Sequence, residues 1–337
     1  MKSRYLAQRS HLTAPATVPK YVEAAVTRSE ADLVMLDLED SIPSGDDALL
    51  ARGRDTVVRA LTDLDWGTRL RFFRPRGAAL DPHHADVVDV VTRADGKLDG
   101  LVYPKIDGPD EVRALDATLA RLERSLPPRE DPIRLSLLIE SVLAEERAFE
   151  IAAASTRVVS LVFGAFDYAS SLGLLDLGSS DFERDALFGF TLDLARARIV
   201  KAAASVGVPA IAEMTLNFPT KDKSDSERRA ALDECRRDAE RSRALGFRGK
   251  WTGIPAQVSI VNDVFTVPDS VVVRAASAVR AFLAAERAGR GAAMIDGRMY
   301  DRATDRMNRV VLETALAMGR LDPVVARELG VSRPRGD

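Results

Sequence analysis

Eight short runs of apolar and β-branched residues recur along the first three quarters of the chain, and this regular spacing is the feature that most limits its fold. The runs lie near residues 10–13, 31–40, 69–74, 100–105, 133–140, 158–163, 209–213 and 249–254. Amphipathic stretches separate them, among them residues 110–124, 144–154, 187–206 and 226–245. Continuous apolar strands that alternate with helices indicate a parallel sheet whose faces are covered by helices.

The number of strand–helix units favours a closed barrel. Eight units within about 255 residues are what a (β/α)8 TIM barrel requires. The alternative is a doubly wound open sheet, which usually has fewer strands and, when it binds a dinucleotide, a glycine-rich turn after its first strand. No G-x-G-x-x-G motif follows any of the runs. We therefore predict an α/β fold organised as a (β/α)8 barrel.

The composition excludes several functional classes. The 48 Lys and Arg residues nearly balance the 51 Asp and Glu residues, and the net charge of −3 argues against a nucleic-acid-binding surface. No apolar run approaches the roughly 18 residues of a membrane span, and the N-terminal residues lack the apolar core of a signal peptide. The single cysteine, Cys235, excludes an internal disulfide and fits a reducing cytoplasm. We expect a cytoplasmic protein that binds neither nucleic acid nor membrane.

Charged residues stand at the ends of seven of the eight runs. The carboxyl ends of barrel strands converge on one face, and that face carries the chemistry in enzymes of this architecture. The charged residues at the run ends are Asp37, Glu39, Asp40, Arg71, Arg74, Lys105, Glu140, Asp167, Glu213 and Lys250.

Glu140 and Asp167 are the strongest candidate pair for a metal site. Each follows an apolar run, and the two runs predict adjacent strands, so both carboxylates can face one cavity. Two carboxylates, with water and substrate completing the coordination shell, are a typical way to hold Mg²⁺. Only 3 histidines are present as possible ligands of another metal. The alternative is that each carboxylate caps the helix that follows it. The spacing alone leaves both interpretations open.

Two arginines flank Phe72 and Phe73 on the third predicted strand. The two-residue period of a strand places Arg71 and Phe73 on one face and Phe72 and Arg74 on the other. An arginine that faces the barrel mouth can clamp a carboxylate or stabilise an enolate. The alternative is a structural ion pair with the acids at residues 37–40.

The remainder of the chain predicts an extension rather than a second large domain. We place the barrel in residues 1–255 and a linker helix with a C-terminal lid in residues 256–337. Within the extension, helices are predicted at residues 270–287 and 301–318, on either side of a glycine-rich hinge. The extension is short for an independent core, so we expect it to close as a helical lid or to pack on a neighbouring subunit.

Several short motifs occur in order along nearly the whole chain. They are RSHLTAP at 9–15, PKYVE at 19–23, LDLEDSIP at 36–43, YPK at 103–105, LIE at 138–140, IAAAS at 151–155, FGAFD at 163–167 and GFRGKW at 246–251. Together they resemble the HpcH/HpaI aldolase and citrate lyase β-subunit superfamily. VFTVP at 264–268 and GAAMIDGRM at 291–299 are most similar to its malyl-CoA and citramalyl-CoA lyase branch.

The resemblance implies a barrel enzyme that uses Mg²⁺ to cleave or form a carbon–carbon bond next to a CoA thioester. A β-hydroxyacyl-CoA such as malyl-CoA would give an α-keto acid and an acyl-CoA. The resemblance makes Glu140 and Asp167 the Mg²⁺ ligands, and it makes Arg71 the arginine that stabilises enolate charge. It places Glu39 and Asp40 as acids that support the metal-bound waters and that arginine.

The resemblance also implies roles outside this metal centre. Asp296 matches an acid–base residue that the lid supplies, commonly to a neighbour's active site in a trimer or hexamer, so a homo-oligomer is expected. A further set of positions is expected to contact the substrate or cofactor, namely Arg9, Lys105, Gly164 and Ala165.

Three departures from the family pattern suggest an altered substrate. Ile254 stands where a histidine is usual, Phe73 stands where an asparagine is usual, and Asp46 and Asp47 stand near a position that is usually lysine. Alternatives therefore stay open. They are hydrolysis of such a thioester, aldol cleavage of a free 4-hydroxy-2-oxo acid, and a barrel without catalysis that serves as a binding partner.

Overall fold

The first eight strands of the computed structural model close into a parallel barrel. The structure describes residues 3–43, 45–174, 181–295 and 297–331, with only the backbone described at residues 3 and 181–191. The barrel strands are β1 Ser10–Pro15, β2 Leu33–Asp37, β3 Leu70–Arg74, β4 Gly100–Tyr103, β5 Arg134–Ile139, β6 Val158–Phe163, β7 Ala210–Ala212 and β8 Gly249–Thr252. Each strand pairs with the next along the chain, and β8 pairs with β1. The predicted (β/α)8 barrel is confirmed.

Helices fill the connections between these strands and form the extension that follows β8. They are α1 Pro19–Arg28, α2 Asp47–Asp63, α3 Ala85–Arg93, α4 Pro109–Glu123, α5 Val142–Glu146, α6 Ala148–Ala153, α7 Ala165–Ser171, α8 Asp181–Ser205, α9 Asp225–Leu245, α10 Pro255–Phe265, α11 Asp269–Arg287, α12 Arg302–Ala317 and α13 Pro323–Glu328. The stretch predicted as one helix at 144–154 is two short helices that meet at Arg147.

Local sequence signals explain where several helices begin and end. Ser224 caps α9 through its hydroxyl, and the Glu227 side chain returns to the Ser224 backbone to complete a capping box. Gly246 ends the same helix at φ +103°, a left-handed conformation that a side chain would strain. Proline occupies the first turn of α1 and α4, where its missing N–H costs no helical hydrogen bond.

The strand residues alternate between the helical layer and the barrel interior. Phe73 belongs to the large apolar cluster between strands and helices, as do Leu36 on β2 and Leu101 on β4. Phe72 lies on the opposite face by the two-residue period of a strand, and it packs against its partner Gly100 on β4, where an added Cβ would lie 2.6 Å from the Phe72 ring. This parity places Arg74 on the interior face with Phe72, and it places Arg71 on the outer face with Phe73.

Polar side chains bond one another inside the amino-terminal half of the barrel. His11 Nε2 lies 3.0 Å from Gln8 Oε1, and the Gln8 amide donates to the carbonyl of Val159. Ser160 donates to the same Gln8 oxygen and lies 2.6 Å from the Ser136 hydroxyl. These bonds satisfy groups that would otherwise be buried without partners.

The chain divides into two compact units, and the first is the barrel from Gln8 to Phe265. This boundary lies ten residues beyond the predicted one at 255, because α10 is the helix that follows and covers β8. Of the residues that the structure describes, none forms a helix long and apolar enough to cross a bilayer.

The second unit combines the residues before Gln8 with those after Phe265. Its apolar core joins α11 to α12 and α13 through residues such as Val279, Leu312 and Leu329. A two-stranded hairpin, β9 Ala293–Ile295 and β10 Arg298–Tyr300, lies between α11 and α12. Packing of this unit on a neighbouring subunit stays a prediction.

Candidate active site at the carboxyl end of the barrel

Arg74 ends β3 inside a ring of three carboxylates that follow β2. Its Nε lies 2.6 Å from Asp37 Oδ1, and its Nη1 lies 2.9 Å from Glu39 Oε2 and 3.0 Å from Asp40 Oδ2. The Arg74 side chain is only 4% exposed. Burial acts to lower the pKa of Arg74, but the three acids outweigh it and hold that pKa above its ordinary value. Arg74 is therefore a fixed positive charge at the barrel mouth.

Trp251 on the eighth strand contacts this arginine, and Thr13 on the first strand holds the Trp251 ring. The Arg74 guanidinium lies 5.4 Å from the centre of a Trp251 ring, which is a cation–π contact. The indole N–H of Trp251 donates to the Thr13 hydroxyl on β1, which fixes the direction of the ring. Asp37 also accepts hydrogen bonds from the backbone N–H groups of Glu39 and Ser41, so the acid side of the pair is anchored as well.

A second cation, Lys105, lies between three carboxylates. Its ammonium is 2.8 Å from Asp167 Oδ1, 3.7 Å from Glu39 Oε1 and 3.8 Å from Glu140 Oε2. The Lys105 backbone N–H donates to Glu140 Oε1 at 2.6 Å. Carboxylates from the ends of β2 and β5 and from α7 thus surround one cationic position.

Burial shifts the pKa of both glutamates upward. Burial raises the pKa of Glu39 to about 8, with Asp40 and Glu140 adding to the rise and Arg74 and Lys105 opposing it. Burial also raises the pKa of Glu140, again opposed by Lys105. Shifts of this kind are typical of sites that hold charged ligands or transfer protons.

Close packing behind Glu140 fixes where its carboxylate lies. A Cβ added at Gly164 would stand 2.5 Å from Glu140 Cβ and 2.8 Å from Glu140 Oε2, so only glycine fits there. Gly164 precedes α7, and Ala165, the first residue of that helix, is buried in the apolar cluster. These two residues therefore shape the site by packing.

An open pocket of about 290 Å³ lies beside the carboxylates. Its far wall carries hydroxyl groups and a further acid. The residues that line it are Lys105, Ile106, Asp107, Glu140, Ser141, Asp167, Ser170 and Ser171. A small polar ligand can therefore reach both Glu140 and Asp167.

The chain matches a known family over most of the barrel. A family model described as HpcH/HpaI aldolase/citrate lyase matches residues 9–253. The chain belongs to this family. The resemblance seen in the sequence motifs is thereby confirmed, and the chain is a member of an enzyme family of carbon–carbon lyases.

Several relatives in the citrate lyase group are similar over nearly their whole length. An L-malyl-CoA/beta-methylmalyl-CoA lyase of Cereibacter sphaeroides is 32% identical over 315 residues, which cover 91% of this chain and 94% of that protein. A (3S)-malyl-CoA thioesterase of the same organism is 29% identical over 314 residues, which cover 92% and 96%. The crystal structure of protein CitE from Mycobacterium tuberculosis in complex with magnesium, acetoacetate and coenzyme A has a TM-score of 0.62 and 24% identity, and it covers 92% of this chain and 99% of that one.

Five of the predicted site residues lie together at the carboxyl end of the barrel. They are Glu39, Asp40, Lys105, Glu140 and Asp167. The alternative that Glu140 caps α5 does not hold, because the Ser141 hydroxyl accepts the capping hydrogen bond from Ala144. Asp167 lies in the first turn of α7 with its side chain on Lys105.

The structure brings Arg74, rather than Arg71, to these residues. Arg71 is the second residue of β3 and lies on the outer face, with its backbone N–H bonded to Asp99. Phe73 shares that outer face, so it does not replace a polar residue on the cavity side. The expected positions of Arg71 and Phe73 are corrected by strand parity, which the sequence of two arginines around two phenylalanines leaves ambiguous.

Another predicted residue, Arg9, is not part of the gathered set. Arg9 precedes β1 at the amino-terminal end of the barrel and is paired with Asp32, with Nη2 2.7 Å from Oδ1. This end of the barrel is opposite the carboxyl end, where the carboxylates lie, so a substrate contact by Arg9 at this site is not supported. Asp296 lies outside the described residues.

Two residues of the site gain importance only from the structure. Trp251 belongs to the GFRGKW motif at 246–251, but its contact with Arg74 depends on the way β8 closes against β1. Ser141 and its neighbours on the pocket wall follow strands whose ends carry the acids. The sequence could have indicated that Ser141 belongs to the site only through its proximity to Glu140.

Proposed function

We propose that this chain is a Mg²⁺-dependent lyase that cleaves, or in reverse forms, a carbon–carbon bond of a β-hydroxyacyl-CoA thioester, giving an α-keto acid and an acyl-CoA. Malyl-CoA is the first substrate to test, since the named relatives act on malyl-CoA. The observation that carries the proposal is the convergence of Glu140, Asp167 and Glu39 on one cationic position beside Arg74.

The donor set fits Mg²⁺. Glu140 and Asp167 present carboxylate oxygens to the point where an ammonium already lies, and the adjoining pocket leaves room for water and substrate oxygens. Mg²⁺ is usually held by one or two carboxylates with the rest of its shell supplied this way. The M. tuberculosis relative was crystallised with magnesium.

The residues of the chain provide charge and orientation for the reaction. Bound Mg²⁺ would supply Lewis-acid polarisation of substrate oxygens. Arg74 holds a positive charge toward the position of a thioester enolate and cannot turn away, since three carboxylates and Trp251 contact it. One such preorganised donor is worth about 3–4 kcal/mol of transition-state stabilisation. Glu39 and Asp40 keep Arg74 in place.

The proton that returns to the enolate is assigned to Asp296 in this proposal. Asp296 stands between β9 and β10 in the sequence, within the motif that resembles the family's lid. We further propose a homo-oligomer, a trimer or hexamer, in which this hairpin serves a neighbour's site. Size-exclusion chromatography with light scattering tests the oligomer, and mixing Asp296→Ala subunits with Arg74→Met subunits tests sharing, because shared sites regain activity.

Ile254 supports a change of substrate relative to the usual family pattern. It follows β8 at the carboxyl end of the barrel, where the family motif has a histidine. Because isoleucine lacks the polar group of that histidine, the part of the site expected to contact CoA is more apolar than in the usual family pattern. We therefore propose an acyl chain or keto acid that differs from the standard one.

The decisive experiment incubates the purified protein with malyl-CoA and Mg²⁺ and identifies the products. Glyoxylate with acetyl-CoA supports the lyase, and activity should vanish with EDTA and in Glu140→Gln. Glu150→Gln is the matched control, since Glu150 is an exposed residue of α6. A panel of related β-hydroxyacyl thioesters follows if malyl-CoA is not cleaved.

Product analysis separates the remaining functions. Free CoA with intact malate indicates a thioesterase, a candidate that the 29% identical relative favours. A keto acid formed from a free 4-hydroxy-2-oxo acid without CoA indicates an aldolase. No turnover across the panel, with no divalent cation bound, indicates a barrel that serves as a binding partner.

A further inference from the structure

Lys105 differs from Arg74 in how firmly its charge is held. Arg74 is buried among three carboxylates, whereas the Lys105 side chain is 35% exposed and lines the open pocket. Its closest carboxylate, Asp167, is itself 49% exposed. The ammonium can therefore move into the open pocket when another cation binds the carboxylates that now contact it.

The backbone of Lys105 is fixed even though its side chain is free to move. Lys105 has φ +53°, a left-handed conformation that is uncommon for a residue with a side chain. Gly77 packs against it, since a Cβ added at Gly77 would lie 3.0 Å from Lys105 Cβ. The backbone N–H aims at Glu140 Oε1, which leaves Glu140 Oε2 facing the ammonium. The residue thus orients Glu140 through its backbone, independently of where its ammonium lies.

We propose that the Lys105 ammonium is an exchangeable counter-ion of the metal site: it pairs with Asp167 and Glu140, beside Glu39, before the divalent cation binds, and cation binding expels it into the adjoining pocket. This inference rests on the proposed function, because it takes Glu140 and Asp167 as the cation ligands. The expelled ammonium then faces the space where an anionic substrate enters, so cation binding prepares the site for the substrate.

Electrostatics requires the exchange. A divalent cation held by Glu140 and Asp167 would share the region in which the Lys105 ammonium lies 3.8 Å from Glu140 Oε2 and 2.8 Å from Asp167 Oδ1. Like charges at such separations repel strongly in a partly buried site. The apparent affinity for the cation therefore includes the free-energy cost of moving Lys105.

Cation affinity is the first test. Free Mn²⁺, which prefers the same oxygen ligands as Mg²⁺, is measured by electron paramagnetic resonance in the absence of substrate, and Mg²⁺ is used to compete. Lys105→Met should bind Mn²⁺ about tenfold more tightly than the natural protein, and Lys105→Arg should not. Lys97→Met is the matched control, since Lys97 is exposed in the loop before β4 and its removal changes the net charge equally. An unchanged or weaker affinity in Lys105→Met overturns the proposal.

Amine labelling of the natural protein tests the movement directly and needs no variant. Brief treatment with an amine-reactive acylating reagent, followed by mass spectrometry, gives the modification rate of each lysine. Saturating Mg²⁺ should raise the rate at Lys105 several-fold and leave the rate at Lys97 unchanged. A rate at Lys105 that stays constant or falls while Mn²⁺ is bound overturns the exchange.

The two proposals fail in distinguishable ways. If neither the natural protein nor Lys105→Met binds Mn²⁺, the metal site of the proposed function is wrong, and this inference falls with it. If the natural protein binds Mn²⁺ and Glu140→Gln does not, the site stands, and the two results at Lys105 alone decide the exchange.

Discussion

The guanidinium of Arg74 lies 2.6 Å from the carboxylate of Asp37 across the ends of two adjacent strands, and the strand register sets these residues opposite each other. Burial acts to raise the pKa of Asp37, but Arg74 outweighs it and keeps the pKa below its ordinary value. The pair is therefore ionised throughout the neutral range. It forms the rigid part of the site against which the cation position is built.

Replacement of Arg74 should abolish most of the activity. Arg74→Lys keeps a positive charge among the buried acids but loses the planar guanidinium, and we expect kcat/KM to fall about 10²- to 10³-fold. Arg74→Met should also lower the free energy of unfolding by about 3–5 kcal/mol, since it leaves buried carboxylates unpaired. Steady-state kinetics and urea unfolding measure the two effects.

The Arg71→Met variant tests which arginine belongs to the site. The structure indicates Arg74, whereas the family motif suggests Arg71. Arg71 lies on the outer face of β3, away from the carboxylates, so kcat/KM should stay close to that of the natural protein. A large loss in Arg71→Met together with a small loss in Arg74→Lys would contradict our assignment of the arginine.

Gly164→Ala should disturb the cation position without removing any functional group. The added methyl group would stand 2.5 Å from Glu140 Cβ, so Glu140 must move. A displacement of this size in a catalytic group costs about 10- to 100-fold in rate, and Mn²⁺ affinity should fall with it. Kinetics and Mn²⁺ affinity equal to those of the natural protein would show that Glu140 tolerates the shift.

Most strand positions were predictable from the sequence because strands such as β2, β5 and β6 are largely apolar and are bounded by polar residues. The acids of the site were predictable for the same reason, since Glu140 follows directly after the buried run of β5. Strand parity was not predictable at β3. Every residue of this strand except Arg71 is buried, so burial does not distinguish a polar face from an apolar one. Arginines three positions apart fall on opposite faces, so the two arginines do not mark a single face either.

Other features depend on contacts between residues far apart in the chain. The Lys105 ammonium reaches acids that follow β2 and β5, and its position depends on a backbone conformation that the sequence does not reveal. The boundary of the barrel unit required knowledge that α10 covers β8. These features follow from tertiary packing, which local periodicity does not contain.

The buried imidazole of His11 should make stability depend on pH. Burial lowers the pKa of His11 to about 3, whereas an unfolded chain restores a value near 6.5. The unfolded state therefore binds a proton that the folded state does not between these limits. Stability contributed by neutral His11 is complete above pH 6.5 and declines by about 1.4 kcal/mol per pH unit as the pH falls toward 3.

A variant comparison isolates this contribution from those of other groups. The free energy of unfolding, measured with urea between pH 7 and pH 4.5, should fall more steeply in the natural protein than in His11→Asn. His83→Asn, which alters an exposed histidine, should keep the steep slope. Parallel slopes in His11→Asn and the natural protein would mean that folding does not lower the pKa of His11.

Trp251 should act on catalysis by holding Arg74 in place. Its ring lies 5.4 Å from the Arg74 guanidinium, and a desolvated cation–π contact is worth about 1–2 kcal/mol. Trp251→Leu should therefore lower kcat about 5- to 30-fold, while Trp251→Phe, which keeps an aromatic face, should lose less. A merely structural role predicts the same loss for both variants.

Fluorescence gives a readout that does not depend on turnover. The chain has 2 tryptophans, and Trp66, whose indole donates to the Ala60 carbonyl, is remote in sequence and buried. In a Trp66→Phe background the emission reports Trp251 alone. Arg74→Met should shift that emission because it removes the cation from the ring, whereas Arg71→Met should leave it unchanged. Identical spectra in both variants would show that Trp251 does not sense Arg74, and its contact would then contribute nothing to positioning the enolate-stabilising charge.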